Sequence, residues 1–161
     1  MVDRFILTEL PNEIVVATAN TLESKGWIEQ SDDYCYLKID DRFIHAIYPL
    51  LADYGGVEKP DYFNPPDYVG AHISVIYPEE RTRLYPENIG QIHLFNMGNL
   101  IKAQYGSTEY YALSVTSPSL SNLRHAHHLS PKPTFKGQKI RFHITVGVKM
   151  LDTLFKCESK A

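Results

Sequence analysis

The sequence predicts an α+β domain with helices outside and a polar strand face turned into a cleft. Three observations carry that expectation. Strand-like and helix-like segments follow one another with no solenoid period and no low-complexity run. A weak two-fold pattern gives each half strands, a helix and one strand of distinctive chemistry. Those two strands hold the strings His72-Ile73-Ser74-Val75 and His143-Ile144-Thr145-Val146, 71 residues apart.

Taken in order, residues 4–8 form a short first strand. A helix is expected from Pro11 to Lys25: proline suits a first turn, Ile14, Ala17 and Leu22 share a stripe, and Gly26 suits a left-handed stop. Trp27 then falls in a turn. Tyr34 to Ile39 alternates like a strand. Asp40 and Asp41 favour a helix start, with Phe43, Ile44, Ile47 and Leu51 as its apolar face and Pro49 as its end or kink. Gly55 and Gly56 close that segment. Residues 57–69 mix prolines, aromatics and acids, and read as a loop ordered by its rings. The first motif strand is expected over 69–77. Residues 91–97, 100–105 and 110–116 give three further strands, with Gly98, Gly106 and Ser107 in turns. Ser117-Pro118 is a helix start, and that helix runs to about Leu129 with Leu120, Leu123 and His127 along one side. The second motif strand spans 138–148, and the last dozen residues suggest a short helix or a frayed end.

A chain of 161 residues suits one domain, 1–161, able to bury a core without staples. Its net charge of −3 argues against a grip on long duplex nucleic acid, which needs many cations against phosphates, but permits a small nucleotide. Cys35 and Cys157 make neither a disulfide framework nor a zinc set, so a reducing cytoplasm is the expected setting. No signal-peptide pattern and no run of 18 apolar residues is present, so no membrane contact is expected. A monomer is expected.

In an extended strand alternate side chains share a face. His72 and Ser74 therefore stand together, as do His143 and Thr145, each pair about 7 Å apart along its strand. The chain builds one small device twice. Two such devices facing each other supply two proton-transfer groups and two hydroxyl donors around one anion. Cleaving an ester bond at such an anion near neutral pH needs a base for the attacking oxygen and an acid for the departing one. Histidine fits both tasks because its pKa lies near the working pH. The hydroxyls of Ser74 and Thr145 would bind the oxygens of that anion. This scheme requires no metal and no cofactor.

Paired H-x-[ST]-x strings, each in a strand, on a chain of this size resemble the 2H phosphoesterase superfamily. The first string carries Ser74 where threonine is commoner, which keeps the hydroxyl but loses β-branch stiffness. The resemblance implies two similar, pseudo-symmetric lobes, each with an antiparallel sheet and outer helices, and both histidine motifs facing across a central cleft. It implies hydrolysis of a nucleotide phosphodiester: a 2′,3′-cyclic phosphate, a 2′-5′ linkage, a cyclic oligonucleotide or an RNA terminus.

Two further residues are candidates for substrate binding. Arg141 lies two residues before His143, on its face if the strand is regular, and would neutralise phosphate. Tyr68 lies four residues before His72 and would stack on a base if the strand begins that early. His125, His127 and His128 suit the negative end of a helix better than a metal site, because no carboxylate or cysteine lies nearby in sequence. His45 and His93 read as structural or surface residues. The competing function on the same fold is a non-catalytic nucleotide or RNA-end binding module, for which two titrating groups would be unnecessary.

Overall fold

The computed structural model describes residues 4–64 and 68–151. In chain order these form β1 (Ile6–Leu10), α1 (Glu13–Ala19), β2 (Lys25–Ser31), β3 (Tyr34–Lys38), α2 (Arg42–His45), a 3-10 segment (Tyr48–Tyr54) and β4 (His72–Ile76). Two 3-10 turns (Pro78–Glu80 and Pro86–Asn88) lead to β5 (Ile92–Leu94), β6 (Asn96–Tyr105), β7 (Thr108–Thr116) and α3 (Pro118–Ala126). A small hairpin of β8 (Thr134–Phe135) and β9 (Gln138–Lys139) precedes β10 (His143–Met150). The α+β expectation holds. No helix among the described residues is long and apolar enough to cross a membrane.

Eight strands join in one antiparallel sheet, in the order β1-β6-β7-β10-β4-β3-β2-β5. Two separate sheets were expected; instead the motif strands β4 and β10 are hydrogen-bonded neighbours at the centre, with three strands beyond each. Their ladder is a single pair, Ile144 opposite Ile73. From that pair, antiparallel geometry sets His143 toward Ser74 and Thr145 toward His72.

The alternation read from sequence decides the faces. Ile73, Val75, Ile144 and Val146 have no exposed surface and lie in the core beneath the helices. Truncating one of these isoleucines to alanine costs about 2–5 kcal/mol. α1 packs on β6, α2 on β10, and α3 on β4 and β5. The motif side chains point to the opposite face.

Several elements differ from expectation. α1 begins where the Asn12 side chain accepts from Val15 N–H (3.0 Å), but it ends at Ala19. Gly26 is inside β2 and does not stop a helix: a Cβ there would collide with the Lys38 carbonyl of the neighbouring strand. Trp27 sits in the same strand. Pro49 divides the expected helix into α2 and the 3-10 segment, yet Phe43, Ile44, Ile47 and Leu51 are all fully buried as read. The strand over 91–97 breaks at Phe95, whose ring is buried and whose N–H bonds to Ser24. Gly98 marks a bulge within β6, where Ser114 Oγ accepts from Asn99 N–H (2.9 Å) and leaves no room for a Cβ. Ser117 caps α3 by accepting from Leu120 N–H (3.3 Å), and Leu120, Leu123 and His127 are buried on one side. The helix ends at Ala126, before Leu129. The expected terminal helix lies outside the described residues.

Candidate active site

β4 is fixed at both ends, which places His72 and Ser74. Before His72, the Asp41 carboxylate accepts from Ala71 N–H (3.0 Å) and pairs with Lys38, whose ammonium also donates to the Ala71 carbonyl (3.2 Å). Beyond Ser74, the fully buried Arg124 donates to the Val75 carbonyl (2.7 Å) and grips Glu80 through two hydrogen bonds (3.0 and 2.6 Å). Glu80 in turn accepts from Tyr77 N–H (3.0 Å). Arg124 is also bonded to the carbonyls of Ser130 (2.7 Å) and Lys132 (3.1 Å), so all its donors serve structure.

Both motif histidines are held in the same way. His72 Nδ1 lies 2.7 Å from the Gly70 carbonyl, and His143 Nδ1 lies 2.9 Å from the Arg141 carbonyl. A carbonyl only accepts, so each Nδ1 donates and each neutral ring keeps its lone pair on Nε2. In both cases the acceptor stands two residues before the histidine. Burial pushes the His72 pKa down to about 4, against the pull of its bond to Gly70, and the charges of His143 and Lys38 push the same way. Burial also lowers the pKa of His143, while its bond to Arg141 raises it.

A cavity of about 610 Å³ is lined by His72, Ser74, His143 and Thr145 together. Four tyrosines crowd this centre. Tyr34, Tyr36 and Tyr62 set their rings against His72 with centroids at 6.0, 5.5 and 4.7 Å. Tyr34 is hydrogen-bonded to the Ser74 hydroxyl, and Tyr77 faces the same hydroxyl. Tyr62 faces Thr145. Burial raises the pKa of all four phenols, so each keeps its proton at neutral pH and is a donor.

Arg141 lines the cavity from its rim and is exposed, and it is the one lysine or arginine among the described lining residues. No carboxylate lines the cavity among those residues. Tyr68 is elsewhere. β4 starts only at His72, and Tyr68 and Gly70 both take positive φ (46° and 65°), which breaks the alternation assumed from sequence. Its side chain is 66% exposed and does not line the cavity. Tyr34, Tyr36, Tyr62 and Tyr77 hold the position expected for it. Tyr34 and Tyr36 were accessible to the alternation argument, since they share the face opposite the buried Cys35 and Leu37. Nothing in the sequence gave the register of β3 against β4.

The C-terminal end of α3 is structural. His127 is buried, donates from Nδ1 to the Leu123 carbonyl (2.8 Å), accepts at Nε2 from Tyr85 N–H (3.0 Å) and stacks on the Tyr85 ring at 4.2 Å. His125 and His128 are exposed. No group of three or more His, Cys, Asp or Glu residues that could hold a metal stands together among the described residues. His45 packs on Phe63 at 4.5 Å, and buried His93 pairs with Ser119 at 2.8 Å.

Compared with known families, residues 35–153 match the model of the Swiss Army Knife 2H phosphoesterase domain. The chain belongs to the 2H phosphoesterase family. No curated protein and no solved structure matches it. The 2H match begins within β3 and runs past β10, so it takes in both motif strands and leaves out β1, α1 and β2. Phosphoester hydrolysis is the general chemistry of a 2H phosphoesterase.

Proposed function

We propose that this 2H phosphoesterase hydrolyses a nucleotide phosphodiester by two-histidine general acid–base catalysis without a metal. The observation that carries the reading is the repeated device: two imidazoles, each with Nδ1 fixed on the carbonyl two residues before it, in one cavity with two hydroxyls. That repetition also supports a pseudo-two-fold relation between the two motif strands.

The surroundings of the histidines divide their roles. Lys38 adds to burial in disfavouring a proton on His72, and the mutual repulsion of the two rings lets only one of them carry a proton. A bound phosphodiester anion draws one proton into the site, and His143 takes it. His72 Nε2 then removes the proton from the attacking oxygen, and His143 Nε2–H protonates the leaving oxygen. Ser74 and Thr145 donate to the non-bridging oxygens. A hydroxyl has one proton and two lone pairs. Tyr34 is hydrogen-bonded to Ser74, Tyr77 stands against the same hydroxyl and Tyr62 against Thr145; a phenol that donates there leaves the hydroxyl proton for the phosphate. Arg141 adds positive charge at the rim. The substrate classes are those whose attacked phosphate carries a single diester charge: 2′,3′-cyclic phosphates, 2′-5′ linkages and cyclic oligonucleotides.

The test is hydrolysis, with a chelator present, of a panel covering those three linkages by wild type, His72→Ala and His143→Ala. Wild-type turnover that falls roughly 100- to 10,000-fold in each variant is the expected result. Turnover that survives both substitutions, or that the chelator abolishes, overturns the proposal.

A further inference from the structure

The cavity continues well beyond the two histidines, and its far end has different chemistry. On the β3–β4 side its rings carry hydroxyls. On the β6–β1 side it is lined by Leu7, Ile101, Ala103, Phe5 and Phe135. β1 lies three strands from β10, roughly 14 Å across the sheet. A single nucleoside esterified at the histidines and seated among the tyrosines leaves this end empty.

Phe135 is a fixed ring, held by an element with no other evident purpose. It stacks on Tyr77 at 4.6 Å and 26°, and the Phe5 ring lies 5.9 Å away, tilted by 31°. The hairpin carrying it turns at Lys136 and Gly137, both at positive φ (53° and 75°). The backbone N–H groups of both residues donate to the Glu79 carboxylate, with Gly137 at 3.0 Å. Glu79 belongs to the turn just after Tyr77, so hairpin and tyrosine are tied to one carboxylate. Lys136 places its ammonium 4.5 Å from the Tyr105 ring and 5.5 Å from Phe135. Half-buried aromatic rings with one lysine ammonium beside them suit a flat base attached to a phosphate, and they do so without reading the base's edge.

We propose that Phe135 and Phe5 form a second nucleobase subsite, so that the preferred substrate carries at least two nucleosides, the outer base stacking on Phe135 irrespective of its identity. This rests on the nucleotide phosphodiester reading of the same cavity. It makes the β8–β9 hairpin a specificity element, separate from the residues that move protons.

The experiment is a binding titration on full-length His143→Ala, which holds substrate without turning it over. The probes are adenosine 2′,3′-cyclic phosphate, the dinucleotide ending in the same cyclic phosphate, and the octyl ester of adenosine monophosphate. The dinucleotide is expected to bind roughly 5- to 100-fold tighter than the mononucleotide, the range that one stacked base gives. Adding Phe135→Ala erases that difference and leaves mononucleotide affinity unchanged, while Phe135→Trp retains the difference and shows that the hairpin still folds. Equal affinity of the two nucleotides for the parent, or equal loss of both on Phe135→Ala, overturns the second subsite. An octyl ester that binds as tightly as the dinucleotide, with the same dependence on Phe135, also overturns it and reassigns this end to aliphatic groups. Mononucleotide binding without a dinucleotide gain sinks this inference alone. Binding of neither nucleotide sinks the nucleotide reading with it.

Discussion

Arg124→Ala is the substitution whose cost the structure specifies most fully. Arg124 has no exposed surface, and its partner Glu80 is 5% exposed, so the change leaves a carboxylate in the core with its counter-charge gone. The carbonyls of Val75, Ser130 and Lys132 lose their donor at the same time. Breaking a buried ion pair from one side costs about 3–5 kcal/mol. For a domain of this size each kcal/mol lowers the melting temperature by roughly 2–4 °C, so the expected fall is roughly 6–20 °C. Urea unfolding of wild type, Arg124→Ala and the double variant Arg124→Met with Glu80→Leu reads the energies directly. The double variant is expected to recover part of the loss, because the stranded charge is removed, but not all of it, because the carbonyls and Tyr77 N–H stay unpartnered. An Arg124→Ala protein within 1 kcal/mol of wild type, or a double variant less stable than either single one, would refute the reasoning.

Three other outcomes follow from the site. The kcat/KM profile against pH should peak on the acid side of 6.5: activity rises as His72 loses its proton and falls as His143 loses the one it must donate, and burial lowers both pKa values. A peak above pH 7.5 contradicts this assignment. Stability should fall as pH drops from 6.5 toward about 4, because the unfolded His72 takes up a proton there and the folded one does not. That gap corresponds to about 3 kcal/mol, fully present above 6.5 and lost by about 4, and His72→Gln should flatten the corresponding part of a pH series of urea midpoints. Tyr34→Phe removes the hydrogen bond to Ser74 and should slow turnover roughly 2- to 10-fold. In a Ser74→Ala background the same change should do nothing further, and additive effects would disconnect the phenol from the hydroxyl.

The motif strands and their faces were legible because alternation is local physics: Ile73, Val75, Ile144 and Val146 are as buried as their spacing required. The start of α3 was legible for the same reason, since a serine cap followed by proline needs no distant partner. What escaped depended on long-range contact. Gly26 has the local signature of a helix stop, but its role is set by the Lys38 carbonyl of the neighbouring strand, which occupies its Cβ position. Tyr68 shares the His72 face only in an unbroken strand, and positive φ at Tyr68 and Gly70 interrupts it. The ring of tyrosines around His72 joins β3, the loop before β4 and the turn after it, and only tertiary structure brings those together. The joining of the sheet was beyond sequence as well, because one ladder pair at residues 73 and 144 leaves no pattern to read.

That single rung has a temporal side. β10 is the last strand of the described chain, yet it occupies the middle of the sheet, between β7 and β4. While the protein is being synthesised, β1-β6-β7 and β4-β3-β2-β5 can each pair, but no strand joins them into one sheet until residues 143–150 leave the ribosome. The segment that closes the sheet is the one that brings His143. A nascent or prematurely ended chain carrying only His72 therefore holds half of a site and half of a scaffold. Cooperative folding and the second imidazole arrive in the same eight residues.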